Sequence, residues 1–119
     1  MVVSRKIGAL AEQQACDYLI SQGLRLVMSN YSSRMGEIDL IMQDGECLVF
    51  VEVRSRASAE FGGALASVTY SKQQKLMKTA QLYLMTHRQS HQPIRFDVLG
   101  MEGVPVVMTW IKNAFGSDF

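Results

Sequence analysis

The chain has 119 residues, of which 48% are hydrophobic and 19% are charged, a composition typical of a globular domain and not of a disordered chain. Its length is that of one domain, so we expect residues 1–119 to fold as a single unit. The 12 Lys and Arg residues nearly balance the 11 Asp and Glu residues. This balance excludes a strongly basic nucleic-acid coat protein, but not a nuclease whose metal-binding acids offset its phosphate-binding bases.

The cysteines and the apolar runs indicate a compartment. Cys16 and Cys47 are too few for a disulfide framework, so free thiols in a reducing cytoplasm are the simpler interpretation. The longest apolar run, Cys47–Val51, is too short to cross a bilayer, and the N-terminal residues lack the features of a signal peptide. We therefore expect a cytoplasmic protein with no membrane association.

The first quarter of the chain predicts a helix and a strand. Apolar residues recur at helical spacing over Ser4–Gln22, with Ser4 as the N-cap and Gly23 as the left-handed residue after the last turn. A looser alternation over Leu24–Tyr31 predicts a strand, and the polar residues Ser32–Gly36 predict a turn.

A hairpin and a loop follow. The pattern predicts strands over Glu37–Met42 and Cys47–Arg54, joined by a tight turn at Asp44-Gly45, a dipeptide typical of hairpins. The small residues and paired glycines of Ser55–Val68 predict a loop.

The last part of the chain predicts a helix and two strands. The helix spans Ser71–Arg88, with Ser71 and Gln74 in the pattern of a capping box, and the strands span Ile94–Met101 and Val104–Ile111. Helix, three strands, helix and two strands together predict an α/β sandwich with a mixed sheet.

The central hairpin has one apolar face and one mixed face, because side chains alternate along a strand. A two-residue turn at Asp44-Gly45 sets Asp39 opposite Phe50, whereas a four-residue loop sets Asp39 opposite Glu52. In both cases Asp39, Glu52 and Arg54 share the mixed face, and the apolar face must pack on a helix. The apolar face comprises Ile38, Leu40, Met42, Cys47, Val49, Val51 and Val53.

The acidic end of the mixed face predicts a metal site. Carboxylates on adjacent strands lie within roughly 5–8 Å and repel each other, and a divalent cation removes this repulsion. Mg²⁺ commonly binds one or two carboxylates together with a substrate phosphate, an arrangement typical of phosphodiester hydrolysis. The alternative is a solvated strand end where Arg54 neutralises Glu52, but the additional Asp39 on the same face favours the metal site.

Glu12 is a further candidate acid. Its helical neighbours are uncharged and it borders the apolar stripe, so it either reaches over the sheet to the metal site or is an exposed boundary glutamate. The sequence does not separate these two interpretations.

Basic residues near the hairpin are candidate phosphate contacts. Lys72 lies in the first turn of the second helix, beside the apolar stripe, and Gln73 falls inside that stripe and could point at the site. Lys75 and Lys78 fit a solvated helix face better. The predicted nucleic-acid-binding residues are Arg34, Arg56, Lys72 and Gln73, together with Arg54.

The run GEIDLIMQDGECLVFVEVRSR, with Glu12 upstream, resembles the PD-(D/E)XK nuclease superfamily, and more narrowly the YraN-like bacterial family of uncharacterised proteins. The resemblance extends over nearly the whole chain. It includes G-x-x-A-E-x-x-A at Gly8–Ala15, Asn30, Phe61-Gly62 and Arg95–Val98. It implies a restriction endonuclease-like α-β-β-β-α-β core in a three-layer sandwich, with Holliday-junction resolvases as relatives.

The resemblance also implies roles for individual residues. Asp39 and Glu52 match the two metal-binding acids of the motif, and Glu12 matches the acid of the first helix in the resolvase-like branch. The backbone carbonyl of Val53 could also bind the metal. Arg54 stands where the motif has Lys, and because Arg stays protonated it can orient water or stabilise phosphate charge but cannot act as a general base.

Two functional hypotheses follow. The first is an endonuclease dependent on Mg²⁺ or Mn²⁺ that hydrolyses DNA, with RNA and branched or damaged DNA left open as substrates. The second is a non-catalytic nucleic-acid-binding or assembly module on the same fold. We also predict a homodimer through the apolar final strand VPVVMTWI or the adjacent surface at Trp110, unless the C-terminal tail covers that edge.

Overall fold

The computed structural model describes residues 2–57, 63–87 and 91–116, with side chains from Gly8 onward. Apart from the short helix α2, the order of elements is the predicted one. Phe61-Gly62, Arg88 and the C-terminal tail lie outside the described residues. The elements are α1 (Val2–Ser21), β1 (Arg25–Ser33), β2 (Gly36–Asp44), β3 (Cys47–Arg56), α2 (Gly63–Ala66), α3 (Tyr70–His87), β4 (Ile94–Glu102) and β5 (Val107–Phe115).

The five strands form one mixed sheet in the order β1-β2-β3-β4-β5. Strands β3 and β4 are parallel, and the other neighbouring pairs are antiparallel. A parallel pair needs a long crossover, and α2 and α3 supply it. Helices α1 and α3 pack on opposite faces of the sheet. The predicted α/β three-layer sandwich with a mixed central sheet is confirmed.

Two apolar clusters fill the spaces between the layers. Beneath α1, Ala15 and Leu19 pack on the apolar face of the hairpin, which includes Leu40, Val49 and Val51. Beneath α3, the stripe of Leu76, Ala80 and Tyr83 packs on Ile41, Leu48 and Phe50. The prediction that the apolar face with Leu40, Val49 and Val51 packs on a helix is therefore confirmed, and the mixed face near the turn packs on a helix as well.

The helix ends differ from prediction at two points. Ser4 lies inside α1, so the prediction that it is the N-cap is wrong. Thr69, and not Ser71, caps α3: its Oγ1 accepts a hydrogen bond from the backbone N–H of Lys72 at 3.2 Å. Gly23 has a φ of 102° directly after α1, as predicted for a left-handed C-terminal residue.

The strands also differ from prediction in their ends. The hairpin turn is formed by Gly45 and Glu46, with Asp44 paired to Cys47, so the turn lies one residue later than predicted. Strand β5 begins at Val107 and not at Val104. The segment predicted as a loop contains α2, a helix of one turn whose Ala64 is buried.

Two features from which the compartment was predicted, the apolar runs and the cysteines, can be compared with the structure. No helix in residues 2–57, 63–87 or 91–116 has both the length and the apolar character needed to cross a bilayer. Cys16 and Cys47 are both free thiols, the first buried and the second half-buried.

Candidate metal and phosphate site

Asp39 lies where β2 stops pairing with β3. The last paired residues are Leu40 and Val51, and beyond them a carboxylate oxygen of Asp39 accepts a hydrogen bond from the backbone N–H of Val53 at 2.9 Å. Ile38 joins Ile41 in the cluster beneath α3, although strict alternation would place residues three apart on opposite faces. The prediction that Ile38 shares a face with Leu40 and Met42 is therefore wrong, because those two residues lie beneath α1.

Asp39 and Glu52 form a carboxylate pair. The paired residues follow the register of the second alternative, the one expected to set Asp39 opposite Glu52, and the pairing itself ends at Leu40 and Val51. Burial raises the pKa of Asp39 to about 7, helped by the negative charge of Glu52 and by a hydrogen bond between the two side chains. The hydrogen bond from Val53 acts in the opposite direction, and Glu37 adds a smaller rise. Near neutral pH the pair therefore holds a proton that a divalent cation would displace.

Glu52 is buried and is held by two cations. Its side chain is only 5% exposed, and its Oε2 lies 2.9 Å from Nη2 of Arg54 and 3.4 Å from Nζ of Lys72. The Nε–H of Arg54 is also buried and has no acceptor within the part of the chain that the structure describes. Because an unsatisfied buried donor is costly, this guanidinium has hydrogen-bonding capacity left for an anionic ligand.

Lys72 occupies a position that helix electrostatics disfavour. It lies in the first turn of α3, where the helix dipole is positive, and α3 contains no acidic residue. The contact with Glu52 offsets this cost. The structure thus brings together Asp39, Glu52, Arg54 and Lys72, from β2, β3 and α3.

Glu12 reaches the acidic end of the hairpin from the α1 side of the sheet. Partial burial raises its pKa, and the negative charges of Asp39 and Glu37 add to the rise, while a hydrogen bond with Asn30 opposes it. Glu12 and Asn30 both line a cavity of about 210 Å³ between α1 and strands β1 and β2. Glu12 is thus near the carboxylate pair, and Asn30 is the neighbour of Glu12.

The other predicted nucleic-acid contacts, Arg56, Gln73 and Arg34, lie in different surroundings. Nη1 of Arg56 lies 3.4 Å from the carbonyl oxygen of Gly63, at the start of α2. The side-chain amide of Gln73 donates to the carbonyl of Val68 at 3.0 Å, which stabilises the approach to α3. Arg34 lies in the turn between β1 and β2 and lines a groove on α3. Arg56 and Gln73 therefore have local structural partners.

The donor set fits a metal held partly by substrate. Among the described residues, no three His, Cys, Asp or Glu side chains are grouped closely enough to form a protein-only metal site. Asp39 and Glu52 supply two carboxylates, and since N–H and C=O of one strand residue face the same edge, the carbonyl of Val53 faces Asp39 too. Two carboxylates with open positions suit Mg²⁺, which commonly takes its remaining ligands from water and substrate phosphate.

A second buried charge cluster escaped the sequence analysis. Asp97 on β4 is fully buried and accepts hydrogen bonds from Nε1 of Trp110 and the backbone N–H of Asn113, both at 2.9 Å. Nε of Arg95 lies 3.0 Å from Asp97, and its Nη2 lies 2.9 Å from Asp44. The only signal in the sequence is a charge at a core position of a strand. The cluster joins β4 to β5 and to the hairpin turn, and Asp97 itself pairs with Val51, the residue before Glu52.

Comparison with known proteins establishes the family. The model of the uncharacterised protein family UPF0102 matches residues 11–101. The chain belongs to family UPF0102. The match contains Glu12, Asp39, Glu52, Arg54 and Lys72, so every residue of the candidate site lies within the UPF0102 region.

Relatives in the family align over almost their full length. A UPF0102 protein of Legionella pneumophila is 53% identical over 114 residues, which cover 95% of this chain and 97% of the relative. A UPF0102 protein of Psychromonas ingrahamii is 48% identical over 94% of this chain and 91% of its own length. A third, from Enterobacter sp. strain 638, is 49% identical over 98% of this chain and 89% of its own length.

Proposed function

We propose that this UPF0102 protein is a divalent-metal-dependent endonuclease that hydrolyses phosphodiester bonds in DNA. The observation that carries the proposal is the carboxylate pair of Asp39 and Glu52, in which the pKa of Asp39 rises to about 7 and Glu52 is held by two cations. Such a site needs paired acids that bind the metal and neighbouring cations that bind the phosphate. The resemblance of the hairpin run to PD-(D/E)XK nucleases supports the same reaction, with branched DNA as a candidate substrate.

Asp39, Glu52 and the carbonyl of Val53 would hold Mg²⁺ or Mn²⁺, and Glu12 would add a carboxylate from α1. When bound, the cation supplies an activated water and neutralises charge on the phosphate. Asp39 loses its shared proton, and its carboxylate stays oriented by the N–H of Val53. Because Glu52 is buried and Asp39 is half-buried, their charges are screened less than charges at the surface.

Arg54 and Lys72 would bind the phosphate that is cleaved. Both lie against Glu52 here, and once a metal neutralises that carboxylate their donors can turn to phosphate oxygens. Arg54 remains charged throughout, so its role is to stabilise negative charge on the phosphate. Arg34, Arg56 and Gln73 are proposed as more peripheral nucleic-acid contacts.

The test is cleavage of a DNA panel. Purified protein is incubated with duplex, single-stranded, flap and four-way DNA in Mg²⁺, Mn²⁺ or EDTA. We expect metal-dependent cleavage that Asp39→Asn and Glu52→Gln abolish, while the matched control Glu46→Gln, an exposed acid in the hairpin turn, retains it. An RNA arm tests substrate class. The proposal fails if no cleavage depends on both Asp39 and Glu52.

A second candidate function is nucleic-acid binding without cleavage. It is favoured by one observation: Arg54 and Lys72 already neutralise Glu52 without a metal. Such a module would bind DNA equally well in EDTA, and Glu52→Gln would leave its affinity intact or improve it by freeing two cations. Gel-shift titrations of both proteins, with and without Mg²⁺, separate the two functions.

We also propose self-association through β5. This strand is an edge of the sheet. Its first residue, Val107, is 61% exposed, and Val104 and Val106 in the preceding turn are 94% and 56% exposed. Trp110 on the same strand is half-buried. Sedimentation equilibrium decides this point, since a mass that stays near 13.3 kDa excludes a stable dimer.

A cytoplasmic location likewise remains a prediction.

A further inference from the structure

Helix α3 carries unpaired positive charge. Its sequence contains Lys72, Lys75 and Lys78 but no Asp or Glu. Within the described residues, Lys72 contacts Glu52, whereas Lys75, Lys78 and the nearby Arg34 have no carboxylate within ion-pair distance. Solvated helix faces usually mix both signs of charge, because opposite charges one turn apart stabilise the helix. A helix with cations alone is suited to a polyanion.

The turn between β1 and β2 is packed closely onto this helix. A Cβ on Gly36 would lie 3.1 Å from Oγ1 of Thr79 and 3.7 Å from Cβ of Lys75, and Gly36 has a φ of +149°. Thr79 is fully buried, and its hydroxyl donates to the carbonyl of Lys75 at 2.7 Å. This close approach sets the position of the turn residue Arg34 relative to α3.

The approach creates a groove lined by two cations. Its volume is about 360 Å³. Met35 and Met85 are exposed, at 43% and 76%, so the groove also offers apolar contact. The lining residues are Arg34, Met35, Lys78, Gln81, Leu82 and Met85.

The lysines of α3 lead from the carboxylate pair toward the groove. Lys78 lies six residues after Lys72, about 9 Å farther along the helix axis and about 120° around it. Lys75 lies between the two lysines and continues the positive charge from the carboxylate site to the groove.

We propose that the groove lined by Arg34 and Lys78 is a second phosphate-binding site, which holds the DNA backbone beside the phosphate bound by Arg54 and Lys72. This inference rests on the proposed function, and it assigns Lys78 and Lys75 to the nucleic-acid surface. Arg34 and Lys78 each neutralise a phosphate, and the methionines contact the sugars between phosphates.

The test is the salt dependence of DNA binding. A fluorescently labelled duplex is titrated in EDTA over a salt series with wild type and with the double variant Arg34→Ala/Lys78→Ala. Each lost phosphate contact lowers the slope of log affinity against log salt by about 0.9, so the double variant should lose about 1.8 and bind about tenfold more weakly at low salt. The single variant Lys78→Gln should lose about half of that slope.

A matched control removes the same charge elsewhere. The control variant Arg25→Ala/Lys112→Ala removes one cation from β1 and one from β5. Arg25 lies at the end of β1 far from the turn, about 30 Å from Arg34. Thermal unfolding of each variant verifies the fold. If the groove variants bind with the slope of the control, or if the groove instead mediates a dimer that Met35→Ser/Met85→Ser dissociates, the inference is wrong.

The outcomes also separate the inference from the proposed function. Cleavage by wild type with no difference between groove and control variants overturns the second site and leaves the nuclease proposal standing. DNA binding that weakens in the groove variants, without cleavage under any metal, supports the second site and overturns the nuclease. Absence of any DNA binding by wild type overturns both.

Discussion

Nζ of Lys72 lies 3.4 Å from Oε2 of Glu52, which connects the first turn of α3 to a buried carboxylate of β3. Arg54 approaches the same oxygen at 2.9 Å, so two cations converge on one acid that is 5% exposed. Removing one partner of a buried ion pair is costly, because the remaining charge loses its compensation. A metal cation that binds Glu52 therefore replaces existing partners, and the released ammonium and guanidinium groups remain beside it to bind an anion.

Magnesium binding should depend on pH through Asp39. Because the pKa of Asp39 is raised to about 7, Mg²⁺ must displace a proton below that pH, and its affinity should fall by about tenfold per unit of decreasing pH. Above that pH the affinity should level off. Isothermal titration calorimetry in buffers of different ionisation enthalpy measures the released proton. Equal affinity on both sides of neutrality contradicts the prediction.

Stability without metal should also depend on pH through Asp39. Its pKa is near 3.8 when unperturbed and about 7 in the fold, so the folded state holds a proton that the unfolded chain releases. The favourable contribution is complete below the lower value and is lost as pH rises to the higher one. Asp39→Asn should flatten this decline and be more stable than wild type above neutrality. Urea unfolding in EDTA measures it, and parallel curves for the two proteins contradict it.

Replacing Arg54 with Ala and with Lys should show that the reaction needs a positive charge at this position. Arg54→Ala should slow metal-dependent cleavage by about a hundredfold, because a donor near the phosphate is lost and Nη2 no longer pairs with Glu52. Arg54→Lys should retain most of the rate, since the charge is kept, and Arg25→Ala is the control for an exposed cation. Single-turnover cleavage measures the effect. An unchanged rate in Arg54→Ala would exclude its role at the phosphate.

Removing Asp97 should destabilise the fold. Asp97→Ala leaves Arg95 and Nε1 of Trp110 without their buried acceptor, which should cost about 3–5 kcal/mol in the free energy of unfolding. Asp17→Ala, an exposed acid on α1, should have little effect. Trp110 is the single tryptophan, so its fluorescence reports unfolding directly. Comparable losses in the two variants contradict the prediction.

Gly100 should be intolerant of a side chain. A Cβ there would lie 2.6 Å from Cβ of Ala64 and 3.1 Å from Oε1 of Glu102, so Gly100→Ala should cost about 1–3 kcal/mol of unfolding free energy. Gly8→Ala is a matched control on the exposed side of α1, where a Cβ meets no neighbour within 4 Å, and it should stabilise slightly. Thermal denaturation compares the two, and equal unfolding temperatures would show that α2 moves away freely.

The local pattern determined the elements and their apolar faces. Alternation along the hairpin separated Leu40 and Val51 from Ile41 and Phe50, and these pairs do lie on opposite faces of the sheet, beneath α1 and α3. Helical spacing identified the buried stripe of α3. These features follow from the sequence alone because burial of apolar surface at a fixed period of 2.0 or 3.6 residues is a local property.

Tertiary structure decided the register and the partners of the charges. The turn at Gly45 and Glu46 fixes the register of the hairpin, and Ile38 packs on the α3 face and not beside Leu40. Neither follows from alternation, because turns that differ by one residue have similar local energies and packing selects between them. The partners of the buried charges were likewise decided by tertiary structure. The packing of α3 on the sheet brings Lys72 to Glu52, and the pairing of β5 with β4 brings Trp110 to Asp97. Such contacts join residues distant in sequence, so they depend on the assembled layers.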